Sequence, residues 1–100
     1  MRTIKFQVTE QRIKNIDTVA FVYGGTNNYL KFEFAFDDNW YECAKVISFG
    51  NDKCVMKIDN NCCLVPQEAF DKNKLTFYIL GGRKNGYRIR TEPFSIKLLG

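Results

Sequence analysis

Residues Leu30-Lys31-Phe32-Glu33-Phe34-Ala35-Phe36 alternate strictly between large apolar side chains and charged or small ones. Successive side chains of an extended strand point to opposite faces, so this run gathers Leu30, Phe32, Phe34 and Phe36 on one side. A helix would scatter the same four around its circumference. The segment therefore reads as a strand with one buried face. The same alternation recurs in Ile4, Phe6 and Val8, in Leu75, Phe77 and Ile79, and in Phe94, Ile96 and Leu98. Composition agrees with the pattern. Fifteen aromatics stand beside eight Ile, six Val and six Thr, against six Leu and four Ala, which favours strands over a helical bundle.

Turn chemistry separates the strands. The apolar stretch from Val19 to Tyr23 ends at Gly24-Gly25-Thr26-Asn27-Asn28, and Asp37-Asp38-Asn39 ends the Phe-rich strand. Ala44 to Phe49 and Lys53 to Asp59 form a hairpin around Gly50-Asn51-Asp52, after which Asn60-Asn61 turns the chain into Cys62 to Val65. Pro66 to Phe70 supports a single helical turn, with Pro66 suited to its first position. The strand from Leu75 closes at Gly81-Gly82, and Asn85-Gly86 suits a tight hairpin turn before Tyr87 to Thr91. Eight or nine short strands at this spacing predict an all-β sandwich or small barrel, in one domain spanning residues 1–100. The inward faces consume nearly all the Phe and Ile. A binding site is then expected on loops, an exposed sheet face or an edge.

Several chemistries lose their reagents. With no histidine, Ser-His-Asp and Cys-His catalysis are excluded, and the commonest transition-metal ligand is absent. Ser48 and Ser95 are the only serines, neither lies in a nucleophile elbow, and no glycine-rich phosphate loop is present, so no enzyme and no cofactor are expected. Cys43, Cys54, Cys62 and Cys63 have gaps that match no zinc knuckle, and adjacent Cys62 and Cys63 would face opposite ways in a strand. They read as reduced, largely buried thiols, with a Cys54 disulfide to Cys62 or Cys63 the alternative if the protein leaves the cell. Asp37, Asp38, Asp52 and Asp59, with Asn39, Asn51 and Asn60 near them, read as strand-end caps rather than calcium ligands. The alternating N-terminus lacks an apolar signal core. The longest uncharged stretch, Thr18 to Leu30, carries two Gly and two Asn, so a cytosolic site of synthesis and no membrane span are expected.

The candidate contact residues are basic and aromatic. Arg83, Lys84, Arg88 and Arg90 place four positive charges in eight residues, with Tyr87 among them available to stack on a base. The hairpin could clamp phosphate. The net charge of +4 is small for a nucleic-acid footprint, which favours a solvated hairpin whose charges discourage edge pairing. Tyr23, Tyr29 and Tyr41 complete the set. Trp40 reads as a core anchor, the alternative being an interface residue or the stacking platform of a sugar-binding sandwich.

Taken in order, Tyr29-Leu30-Lys31-Phe32-Glu33-Phe34, then Asp37-Asp38-Asn39-Trp40, Lys45 and Phe49, form one half of a recognisable series. Cys63-Leu64-Val65-Pro66-Gln67-Glu68-Ala69-Phe70, Leu75-Thr76-Phe77-Tyr78-Ile79-Leu80-Gly81-Gly82 and Arg88-Ile89-Arg90-Thr91 form the other. The series resembles a small β-sandwich domain of structural proteins from phages of Gram-positive bacteria. The resemblance implies an immunoglobulin-like module of a tail, baseplate, neck or head-fibre protein. Such a module attaches or decorates through protein–protein contacts, without catalysis, in several copies on a virion. Other phage structural proteins and further copies of the chain are the partners it implies. The four cysteines are not required by that pattern. The functional alternative is a small phage-encoded inhibitor that grips a host protein or a nucleic-acid-handling complex through the basic hairpin.

Overall fold

The computed structural model describes residues 1–17, 22–71 and 73–99. Among these residues ten strands form two sheets. The first sheet has the order β2-β1-β4-β7, built from β1 Arg2–Thr9, β2 Arg12–Asn15, β4 Leu30–Phe36 and β7 Cys62–Leu64. The second has the order β3-β10-β8-β5-β6, built from β3 Val22–Tyr23, β5 Ala44–Phe49, β6 Cys54–Lys57, β8 Lys74–Gly82 and β10 Phe94–Leu99, with β9 Arg88–Arg90 paired to β8. The fold is the all-β sandwich that the alternation predicts. Strands β4 and β7 lie in the smaller sheet and β10-β8-β5-β6 in the larger. In the smaller sheet β1 runs parallel to β4 over seven residue pairs and carries the antiparallel β2 on its outer edge.

Alternation puts the predicted faces inward. Ile4, Phe6 and Val8 of β1, and Leu30, Phe32 and Phe34 of β4, are buried against Leu75, Phe77 and Ile79 of β8. Phe6 meets the rings of Phe32, Phe77 and Phe94 edge-on at 4.9–5.5 Å, so aromatic packing joins the two sheets at the centre. Asn60 and Asn61 both adopt positive φ, and Asp59 and Cys62 exchange two backbone hydrogen bonds across them. That is a two-residue turn of the mirror type that suits a twisted hairpin.

Three expectations change, and one falls partly outside the described residues. The strand count is ten among the described residues, because Arg12–Asn15 pairs with β1 although its sequence carries little apolar signal. Of the stretch from Val19 to Tyr23, residues 19–21 lie outside the described residues, and β3 is its described remainder. The turn after Pro66 is 3₁₀, Gln67–Ala69, with Pro66 capping it from an extended conformation rather than opening it. At Asn85-Gly86 only Gly86 has positive φ, and its N–H donates to the Arg83 carbonyl at 3.1 Å, so the hairpin turns through a longer, bulged loop.

Candidate interaction surface

The loop after β4 frames one end of the sandwich. Asp37 accepts hydrogen bonds from the backbone N–H of Asn39 at 3.0 Å and of Glu10 at 2.7 Å, tying the β1–β2 turn to this loop. The 3₁₀ turn Asp38–Trp40 then drives the indole inward. Trp40 is fully buried, its Nε1–H donates to the Glu10 carbonyl at 2.8 Å, and its ring lies 5.3 Å from Phe36. It is a core anchor, which removes it as a sugar platform. Gly81 makes room for it: a Cβ there would lie 2.8 Å from both Cε3 and Cζ3 of the indole. Sequence reading saw Gly81 only as the end of a strand.

The basic hairpin is anchored to the same loop. Arg83 donates from Nε to the Tyr41 carbonyl at 2.7 Å and from Nη2 to the Asn39 carbonyl at 3.3 Å. Tyr87 donates its hydroxyl proton to the Asn39 carbonyl at 2.8 Å, and the Arg83 guanidinium lies 4.2 Å over its ring. Both side chains therefore serve the hairpin's attachment. Lys84, Arg88 and Arg90 are exposed, and among the described residues no carboxylate forms an ion pair with them.

Register defines the outer face of the larger sheet. Directly paired residues share a face. One row across it reads Arg90, Leu80, Val46, Lys57 over β9, β8, β5 and β6, and the next reads Arg88, Gly82, Ala44. On the other side of the first row lie Tyr78, Ser48 and Val55. Here Gly50, Asn51 and Asp52 all have positive φ, which folds the β5–β6 turn back over its own strand. Asp52 thereby accepts from Ser48 Oγ at 2.6 Å and from the Tyr78 hydroxyl. These two hydrogen bonds, and then the Arg90 charge, hold its carboxyl below the usual range. Arg90 lies 4.3 Å over the Tyr78 ring, which fixes its position on the face.

An open groove of about 1090 Å³ runs along this end of the face, floored by Ala44, Val46, Leu80 and Gly82 and edged by Glu10 and the basic hairpin. Four cationic side chains line it against one carboxylate, a net +3 where the whole chain carries +4. Sequence reasoning found the cations through their density. It missed Val46, Leu80 and Lys57, whose only signal is the outward phase of strands already assigned.

The remaining candidates do not join this group as a set. Tyr41 is 68% exposed beside the hairpin, whereas Tyr23 is 57% exposed on β3 next to Leu99. β10 ends beside Asn73 and the hairpin begins beyond Gly82, so the length of β8 separates the two tyrosines by about 30 Å. Tyr29 is exposed at the same end as Tyr23, just before β4. All four cysteines are free thiols, Cys43 and Cys63 buried, Cys54 and Cys62 half-buried. Burial, followed by neighbouring Cys54 and Cys62, pushes the Cys63 thiol up to about 11. Among the described residues no three His, Cys, Asp or Glu side chains are grouped to hold a metal, and no helix is long and apolar enough to cross a membrane. No protein-family model, curated protein or solved structure matches the chain.

Proposed function

We propose that this chain is a non-enzymatic attachment domain that works through protein–protein contacts in several copies, as part of a phage particle. The observation that carries the contact mode is the outer face of the larger sheet, where an aliphatic floor is bordered by the cations of a rigidly anchored hairpin. Such a face gives a partner apolar area at its centre and charge steering at its rim. Weak copies held on one symmetric particle gain avidity without new contacts. The virion setting rests on the motif resemblance of the Phe-rich strand, the Asp37-Asp38-Asn39-Trp40 turn and the Val65-Pro66-Gln67-Glu68 segment.

Tagged protein expressed in producing cells should sediment with particles at low salt and in substoichiometric amounts at high salt. Protein that stays monomeric and absent from particles at every ionic strength refutes the reading. The inhibitor alternative keeps one specific support, the concentration of cations on the hairpin. It requires a host protein, rather than a particle protein, to be recovered with the chain.

A further inference from the structure

We propose that the outer face of the larger sheet binds an extended acidic segment of its protein partner, crossing the strands with the pattern acidic-x-apolar-x-acidic. The inference rests on the attachment reading and names the chemistry of the partner. Its basis is the row Arg90, Leu80, Val46, Lys57, which is cationic at both ends and aliphatic between. Four adjacent strands at ~4.8 Å place the ends of that row about 14 Å apart. In an extended polypeptide, residues i and i+4 on one face are about 13 Å apart, with i+2 midway between them. One carboxylate then meets Arg90, an apolar side chain covers Leu80 and Val46, and the second carboxylate meets Lys57. Arg88 lies one row away, on the same face as Arg90, and reinforces the first of these positions.

Two observations select this occupant. The first concerns the edge of β9, where a partner strand would otherwise add. Gln11 Nε2 donates to the Arg90 carbonyl at 3.0 Å and the Glu92 N–H donates to the Gln11 carbonyl at 2.8 Å, so the β1–β2 turn closes that edge. At this border of the sheet, docking falls to the face instead. The second concerns single-stranded nucleic acid, which binds through aromatic platforms as well as cations. Tyr87 is stacked under Arg83 with its hydroxyl bound to Asn39, and Tyr78 is stacked under Arg90 with its hydroxyl bound to Asp52. The floor between the cations is aliphatic. It suits Leu or Val of a peptide better than a base. Arg90 is already held in place by Tyr78, so less freedom is lost on binding.

The test is a titration of isotope-labelled full-length protein with an acetylated peptide of sequence Gly-Glu-Ser-Leu-Ser-Glu-Gly, followed by backbone amide shifts. Shifts centred on Val46, Lys57, Leu80 and Arg90 are expected, and the Gln-for-Glu peptide should leave them unmoved. Lys57→Gln with Arg90→Gln should weaken binding about tenfold, each exposed pair contributing a factor of about two to five. Lys57→Glu, on the exposed edge strand β6, repeats the test where loss of Arg90 alters the fold. Equal binding of the Gln peptide, or shifts confined to the Tyr23 end, overturns the proposal. So does a ten-nucleotide oligothymidylate that moves the same amides more strongly than the peptide. Particle association without peptide binding sinks this inference and leaves the attachment reading standing; peptide binding without particle association does the reverse.

Discussion

Gly81→Ala adds one methyl group where the indole of Trp40 lies against the backbone of β8. The new Cβ would stand 2.8 Å from two indole carbons and 3.2 Å from Ile89 Cγ2. Trp40 cannot easily withdraw, since it is fully buried, hydrogen-bonded to Glu10 and packed on Phe36. Forcing an extra methyl into such a site costs about 1–3 kcal/mol. Against this, Gly81 does not hold a positive φ, so Ala suits the backbone and reduces the freedom of the unfolded chain, a gain of about 0.4–1 kcal/mol. The overpacking term is larger, and a net loss of about 1–2 kcal/mol, or about 4–16 °C in Tm for a domain of this size, is expected. The neighbouring Gly82→Ala is the control. Its nearest neighbours, the Tyr87 carbonyl oxygen and Arg88 Nη1, are at 3.6 and 3.9 Å, ordinary contact distances, so its stability should hold or rise slightly. Chemical denaturation read by fluorescence suits the pair, because Trp40 is the only tryptophan. A Gly81→Ala protein as stable as wild type, with an unchanged emission maximum, would refute the account of this packing.

Further outcomes follow from the Arg83 anchor, from Asp52 and from the cysteines. Arg83→Ala removes donors to the Tyr41 and Asn39 carbonyls and should lower stability by about 1 kcal/mol, with faster amide exchange concentrated at Arg83 and Gly86. Asp52 has its folded pKa lowered, so its stabilisation is complete above the ordinary carboxylate value near 3.8 and is lost as pH falls through the folded value. Asp52→Asn, which tolerates the positive φ of this turn, should therefore flatten the acid limb of a stability–pH curve and leave the neutral region's slope unchanged. For Cys63 the sign reverses: the folded thiol keeps its proton up to about 11 while the unfolded one ionises near 9.0, so stability falls as pH rises between those values. Cys63→Ala should lose that alkaline slope, and timed alkylation of the wild type should label half-buried Cys54 and Cys62 ahead of Cys43 and Cys63.

The inward strands were legible because their side chains carry the period themselves. Phe32 and Phe34, or Phe77 and Ile79, cannot be satisfied any other way, and all four are buried. Asn60-Asn61 was legible for a different reason, the tolerance of asparagine for the left-handed conformation that both residues adopt. Pairing was not. Nothing in Ile4, Phe6 and Val8 says that β1 should run parallel to β4, since either direction buries the same face. β2 escaped because its hydrogen bonds to β1 order a strand whose side chains are half-buried at most. At the candidate surface, the density of Arg83, Lys84, Arg88 and Arg90 located the charge, but the division of labour among them depends on the loop after β4. Carbonyls of Asn39 and Tyr41, distant in sequence, take Arg83 and Tyr87 for anchoring. The aliphatic floor became visible only when β5 was placed beside β8 and their outward phases aligned.

The central claim is that attachment uses the outer face of the larger sheet. Lysine acetylation footprinting, comparing free protein with particles purified from producing cells, tests it most directly. Lys84 at the hairpin and Lys57 on β6 are exposed in the free chain, as are Lys5 and Lys14 on the other sheet. Protection of Lys84 and Lys57 in the particle, with Lys5 and Lys14 still reactive, is the result expected. Protection of Lys5 and Lys14 alone, with Lys84 and Lys57 as reactive as in the free protein, would contradict it.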